Sequence, residues 1–98
     1  MDSLSPSDMV SAEVFVSGRV QGVWYRGFAE QVALALGLSG CVRNLSDGRV
    51  QVEIEGPRES VEEMLRRLRT GPPRAVVTDL TVKWKDVTGR RSGFQIVH

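Results

Sequence analysis

The chain has 98 residues, 41% hydrophobic and 26% charged, with a formal net charge of +1. That composition describes one ordinary globular domain, and it removes any global electrostatic argument for a nucleic-acid partner or an anionic membrane. The single cysteine, Cys41, excludes an intramolecular disulfide and suits a reducing cytoplasm, and no apolar run approaches the ~18 residues of a membrane span.

Residues 1–11, serine-bearing and interrupted by Pro6, read as a flexible tail ahead of a domain at 12–98. Ala12 to Ser17 alternates as a strand, with Ala12, Val14 and Val16 facing inward and Glu13, Phe15 and Ser17 outward. A glycine-bearing loop follows, and then a helix over Arg26 to Leu36. Its core stripe is Phe28, Ala29, Val32 and Leu36, and Gly37 is its C-terminal cap. Leu38 to Asn44 and Arg49 to Glu55 read as paired strands joined by a loop that ends in Asp47-Gly48. A second helix spans Pro57 to Arg69, with an apolar stripe of Val61, Met64, Leu65 and Leu68. Glu62–Arg66 and Glu63–Arg67 are spaced to pair along it, and Gly71-Pro72-Pro73 stops it. Val76 to Lys85 and Phe94 to Val97 close the chain as strands across a Gly89–Gly93 turn, with Trp84 and Phe94 expected in the core.

The order is βαββαβ plus a short last strand. Both helices must bury their stripes on one face of an antiparallel-rich sheet, so the expected fold is an α+β, ferredoxin-like two-layer sandwich.

Two stretches carry chemistry. In Gly18-Arg19-Val20-Gln21-Gly22-Val23, glycines four residues apart let the backbone curl and expose successive N–H groups at the mouth of a helix. Such a nest binds anions, and Arg26 at the helix start adds a planar cation suited to phosphate or carboxylate. Asn44 stands where the second strand enters its hairpin, with an amide that both donates and accepts. It can hold a water and a phosphoryl oxygen together, or it can simply close the turn onto its own backbone. Arg19 and Arg43 read as exposed residues with a minor steering effect. Tyr25 reads as packing beneath the loop, while Trp24 fits either a pocket wall or packing.

Together these stretches resemble the acylphosphatase family. The first is similar to its phosphate-loop signature, Val16-x-Gly18-x-Val20-Gln21-Gly22-Val23-x-Tyr25-Arg26. The second resembles its asparagine signature, Gly40-x-Val42-Arg43-Asn44 followed by Gly48, Val50 and Gly56. The family usually carries an aromatic residue where Cys41 stands, so a small strand filler is expected there. The resemblance implies hydrolysis of a carboxyl–phosphate anhydride to carboxylate and inorganic phosphate, with no metal and no cofactor. It further implies that Arg26 and the loop of Gly18, Arg19, Val20, Gln21, Gly22 and Val23 bind the phosphoryl group, and that Asn44 orients the attacking water. The implied partner is a small acyl phosphate, acted on by a cytoplasmic monomer with no nucleic acid and no membrane.

Other chemistries fit poorly. His98 is the only histidine and the last residue, expected to be solvated or packed on the sheet. Nucleophilic triads and zinc sites therefore lack ligands, and the loop has neither a P-loop ending nor a dinucleotide fingerprint. Two alternatives stay open. One is a non-catalytic phosphate or carbamoyl-phosphate binding module, like the related domain of hydrogenase-maturation carbamoyltransferases, though both Arg26 and Asn44 are present. The other is an RNA-binding sheet, against which the expected open face of Glu13, Glu53, Glu55 and Phe15 speaks.

Overall fold

The computed structural model describes residues 8–89 and 93–98. In chain order the elements are β1 (Met9–Arg19), α1 (Tyr25–Leu36), β2 (Ser39–Asn44), β3 (Val50–Pro57), α2 (Arg58–Thr70), β4 (Val76–Lys85) and β5 (Phe94–Val97). Alternation along β1 and β3 sets the architecture, because valines suit a pleated, half-buried surface. Ala12, Val14 and Val16 pair in register with Ile54, Val52 and Val50, and all six are buried under the helices. Val42 of β2 continues that inner face. The five strands run in the order β4-β1-β3-β2-β5, antiparallel except for the β2–β5 pair. This is the expected ferredoxin-like α+β sandwich.

The helices seal it through the stripes read from the sequence. Val61, Met64, Leu65 and Leu68 of α2 are buried, as are Ala29 and Val32 of α1, with Phe28 and Leu36 partly covered. Gly37 caps α1 as expected. One ion pair differs from expectation. Glu63 takes both Arg66 and Arg67, at 2.6 and 2.9 Å, while Glu62 lies 4.0 Å from Arg58 rather than pairing with Arg66. All are exposed pairs of small energetic weight.

Three expectations need correction. Strand β1 begins at Met9, because Met9, Val10 and Ser11 pair with Pro57, Gly56 and Glu55. The flexible tail therefore does not include Met9–Ser11, and its residues 1–7 lie outside the described residues. Strands β4 and β5 have the expected bounds but do not pair with each other. Strand β5 joins the far edge, parallel to β2, and residues 90–92 of the expected Gly89–Gly93 turn are outside the described residues. Phe94 is core, whereas Trp84 is 51% exposed. It stands opposite Ala12 near the end of the edge strand, its ring 5.7 Å from the Arg58 guanidinium.

The open face is less acidic than its sequence suggests. Phe15 lies beneath Arg49 and near Lys83, at 4.8 and 5.9 Å from its ring, and Glu13 is engaged by Gln51 and Lys85. Glu55 stands on that face too, but it is covered there, being only 7% exposed. One of its carboxylate oxygens accepts from the Thr88 N–H and hydroxyl, the other from the Gly89 N–H at 2.7 Å. Glu55 thereby latches the segment that follows β4 onto the sheet. Burial pushes its carboxyl up, but the donors outweigh that and hold it below the usual range. The latch therefore contributes fully above the ordinary glutamate range, about pH 4.3, and is lost as pH falls through the lower folded value. Glu55→Gln is expected to cost about 2 kcal/mol at pH 7, the weight of charge-assisted bonds to a buried group. Urea unfolding of both proteins checks this, and the gap should shrink at pH 3.

Candidate active site

The site is built where β1 leaves the sheet. Register against β4 slips between Ser17 and Gly18, and Gly18 has a φ of 119° with its backbone pressed on β4. A Cβ there would lie 2.1 Å from the Val76 carbonyl oxygen. Only glycine fits that approach, and it aims the chain off the strand into the loop. Val20 plugs into the core and Val23 packs against it. Helix α1 then starts at Tyr25, with Trp24 as its N-cap.

Tyr25 fixes that start. Its ring is buried and its hydroxyl donates to the Leu68 carbonyl of α2 at 2.7 Å. Burial pushes the phenol well above its usual pKa. Arg26 is thus held at a pinned helix end. No side-chain hydrogen bond caps that end and its first turn carries no acid, so the positive pole of the helix faces the loop without an internal counter-charge.

A clamp ties the loop to the hairpin. The Gln21 side chain donates to the carbonyls of Leu45 and Arg49, at 2.8 and 2.9 Å. Its amide is committed to spacing the loop against the β2–β3 turn. The turn itself is closed by Asp47, which accepts from the Arg49 N–H and guanidinium. The turn-closing role open to Asn44 is filled by Asp47. Asn44 is exposed at the end of β2 and shares strand parity with buried Val42, so it projects toward the helix side, beside α1.

Arg26 and Asn44 line one cleft of about 310 Å³ together with Val20, Gly22, Trp24 and His98. This is within the size of small-molecule sites. Of the remaining loop residues, Gly18 shapes the bulge and Arg19 is exposed. Arg43 is half-buried rather than exposed, on the opposite face of β2, with Nη2 3.9 Å from Cys41 Sγ. A larger hollow of about 440 Å³ lies on that open face, but Glu53 and Glu55 line it with Arg43. Two carboxylates make it a poor match for a phosphoryl dianion. Among the described residues no group of three or more His, Cys, Asp or Glu is placed to hold a metal ion.

His98 is the residue that sequence reasoning missed. Its Nδ1 lies 3.2 Å from Arg26 Nη1. Arginine only donates, so Nδ1 is the acceptor in this contact. The placement follows from pairing: Arg43 lies beside Val97 in register, which carries the next residue, His98, alongside Asn44. No local signal announces a parallel partner fifty residues away.

The acylphosphatase family model matches residues 12–96. The chain belongs to the acylphosphatase family. It is 49% identical over 85 residues to an acylphosphatase of Pelotomaculum thermopropionicum, covering 87% of this chain and 92% of that one. The crystal structure of acylphosphatase from Bacillus subtilis superposes with a TM-score of 0.88 at 34% identity, covering 91% of this chain and 99% of that one. Full-length HypF in its phosphate- and nucleotide-bound form matches with a TM-score of 0.86 at 28% identity, over 99% of this chain but only 13% of that one. As an acylphosphatase, the chain is a hydrolase of acid anhydrides that splits acyl phosphates.

Proposed function

We propose that Arg26 and the 18–23 loop hold the phosphoryl group, that Asn44 orients the attacking water, and that no metal takes part. The observation that carries this reading is the shared cleft of Arg26 and Asn44 at the uncapped start of α1. The arginine fork and the helix end supply positive charge, and the Gln21 clamp sets the spacing between the loop and the hairpin that bears Asn44.

The chemistry needs little more. The water oxygen bonds to phosphorus while the bond from phosphorus to the bridging oxygen breaks. The carboxylate leaves with that electron pair, and the water's protons end on the phosphate product or in solvent. The conjugate acid of the leaving group has a pKa of about 4–5, by analogy with side-chain carboxyls. It departs without a general acid. What remains is positioning and charge stabilisation, which donors fixed in advance provide.

The substrate is a small acyl phosphate, and the chain is proposed to act as a cytoplasmic monomer, without nucleic acid or membrane, through the domain that begins with β1 at Met9. Support comes from a cleft built wholly within one chain and from the lone Cys41, which suits a reducing compartment. No helix among the described residues is long and apolar enough to cross a bilayer. The test is benzoyl phosphate hydrolysis by purified protein in excess chelator. Full activity is expected, and activity that vanishes with chelator and returns with a divalent ion would contradict the reading.

A further inference from the structure

Trp24 is costly where it stands. Its φ of 67° and ψ of 23° put it in the left-handed region, and it is the one non-glycine residue with positive φ among the described residues. Bulky side chains resist that conformation, and burial does not offset the cost, because Trp24 is 59% exposed. Strain of this kind persists where the surroundings impose it and often marks a functional position.

The surroundings are specific. The indole folds back onto Gly27 in the first turn of α1. A Cβ at Gly27 would lie 2.1 Å from Trp24 Nε1 and 2.6 Å from Cε2, so the ring rests directly on backbone that only glycine leaves open. Trp24 and Gly27 both line the cleft of Arg26 and Asn44. Five large apolar side chains are exposed among the described residues, namely Trp24, Leu34, Val76, Trp84 and Val87, and of these only Trp24 lines that cleft. The other apolar walls there, Val20, Tyr25 and Ile96, are buried or partly buried parts of the core.

We propose that the indole of Trp24, propped on Gly27, is the surface that receives the acyl group, so that the chain favours phosphates of planar aromatic acids over those of small aliphatic ones. The proposal rests on the reading that the phosphoryl group sits at Arg26. The acyl carbon is then one bridging oxygen from phosphorus, and the substituent it carries lies within reach of the cleft's mouth. A flat ring presented to solvent beside a cation suits stacking by a flat acyl group. That contact is made alike in the ground and transition states, so it acts on KM rather than on kcat.

The test compares benzoyl phosphate with acetyl phosphate, and measures inhibition by inorganic phosphate, in the wild type, Trp24→Ala, Trp24→Phe and Gly27→Ala. Trp24→Ala is expected to raise KM for benzoyl phosphate about three- to tenfold, the scale of one aromatic pair. Its kcat, its KM for acetyl phosphate and its phosphate inhibition should stay within about twofold. Gly27→Ala pushes the indole off its seat and should lose the same preference with Trp24 still present, whereas Trp24→Phe should keep most of it. If Trp24→Ala weakens both substrates and phosphate alike, the indole shapes the loop and the proposal is overturned. An unchanged preference in both alanine variants would overturn it equally. A wild type that hydrolyses neither compound would sink the underlying reading and the role of the indole with it, a failure distinct from activity without preference.

Discussion

Arg26→Ala is expected to lower kcat/KM for benzoyl phosphate by about a thousandfold or more, and to abolish inhibition by inorganic phosphate. Arg26 sits at a helix start that Tyr25 pins to α2, so its loss removes a fixed cation without unpacking the core. Losing one donor to developing charge costs about 10²–10³-fold in other enzymes, and losing an arginine that neutralises a transferring phosphoryl group costs about 10³–10⁵-fold. Arg26→Lys separates charge from shape. It retains a point charge but loses the planar fork, so substrate and phosphate should both bind more weakly than in the wild type and better than in Arg26→Ala. Steady-state kinetics with phosphate as inhibitor reads both. If Arg26→Ala kept phosphate inhibition unchanged, the phosphoryl group would not sit at this guanidinium.

Asn44→Ala is expected to act on a different quantity. Turnover should fall by about two orders of magnitude or more, the scale of losing a positioning or oxyanion contact, with the phosphate inhibition constant within about twofold. Asn44 ends β2 while Asp47 closes the hairpin, so removing the amide leaves the turn's own bonding in place. Asn44→Asp is the sharper variant. A carboxylate there would face the phosphoryl charge, so phosphate binding should weaken as well. Near-normal turnover in Asn44→Ala would remove the water-orienting role.

The inner face of the sheet and the stripe of α2 were legible because each follows a local period. Val14 and Val16 alternate with polar neighbours, and Val61, Met64, Leu65 and Leu68 recur at helical spacing. The loop that turns β1 into α1 was legible through its glycines, and so was the packing role of Tyr25. What escaped depends on contacts distant in sequence. The parallel pairing of β5 on β2 carries His98 to Arg26, yet Phe94–Val97 reads locally as any short apolar strand. Trp84 obeys the alternation of β4 but lies toward the end of an edge strand, where it stays half exposed beside Arg58. The Gln21 clamp is also invisible locally, since its carbonyl partners lie 24 and 28 residues away. Glu55 reads as one more outward-facing carboxylate until the segment after β4 folds over it.

In the proposed mechanism, water held by Asn44 attacks phosphorus at Arg26. Its most direct test is hydrolysis of benzoyl phosphate in ¹⁸O-enriched water with excess chelator, followed by mass analysis of both products. Attack at phosphorus places the label in inorganic phosphate and leaves benzoate unlabelled, which is the predicted result. Label in benzoate would mean attack at the carbonyl carbon, and the roles assigned to Arg26 and Asn44 would be wrong.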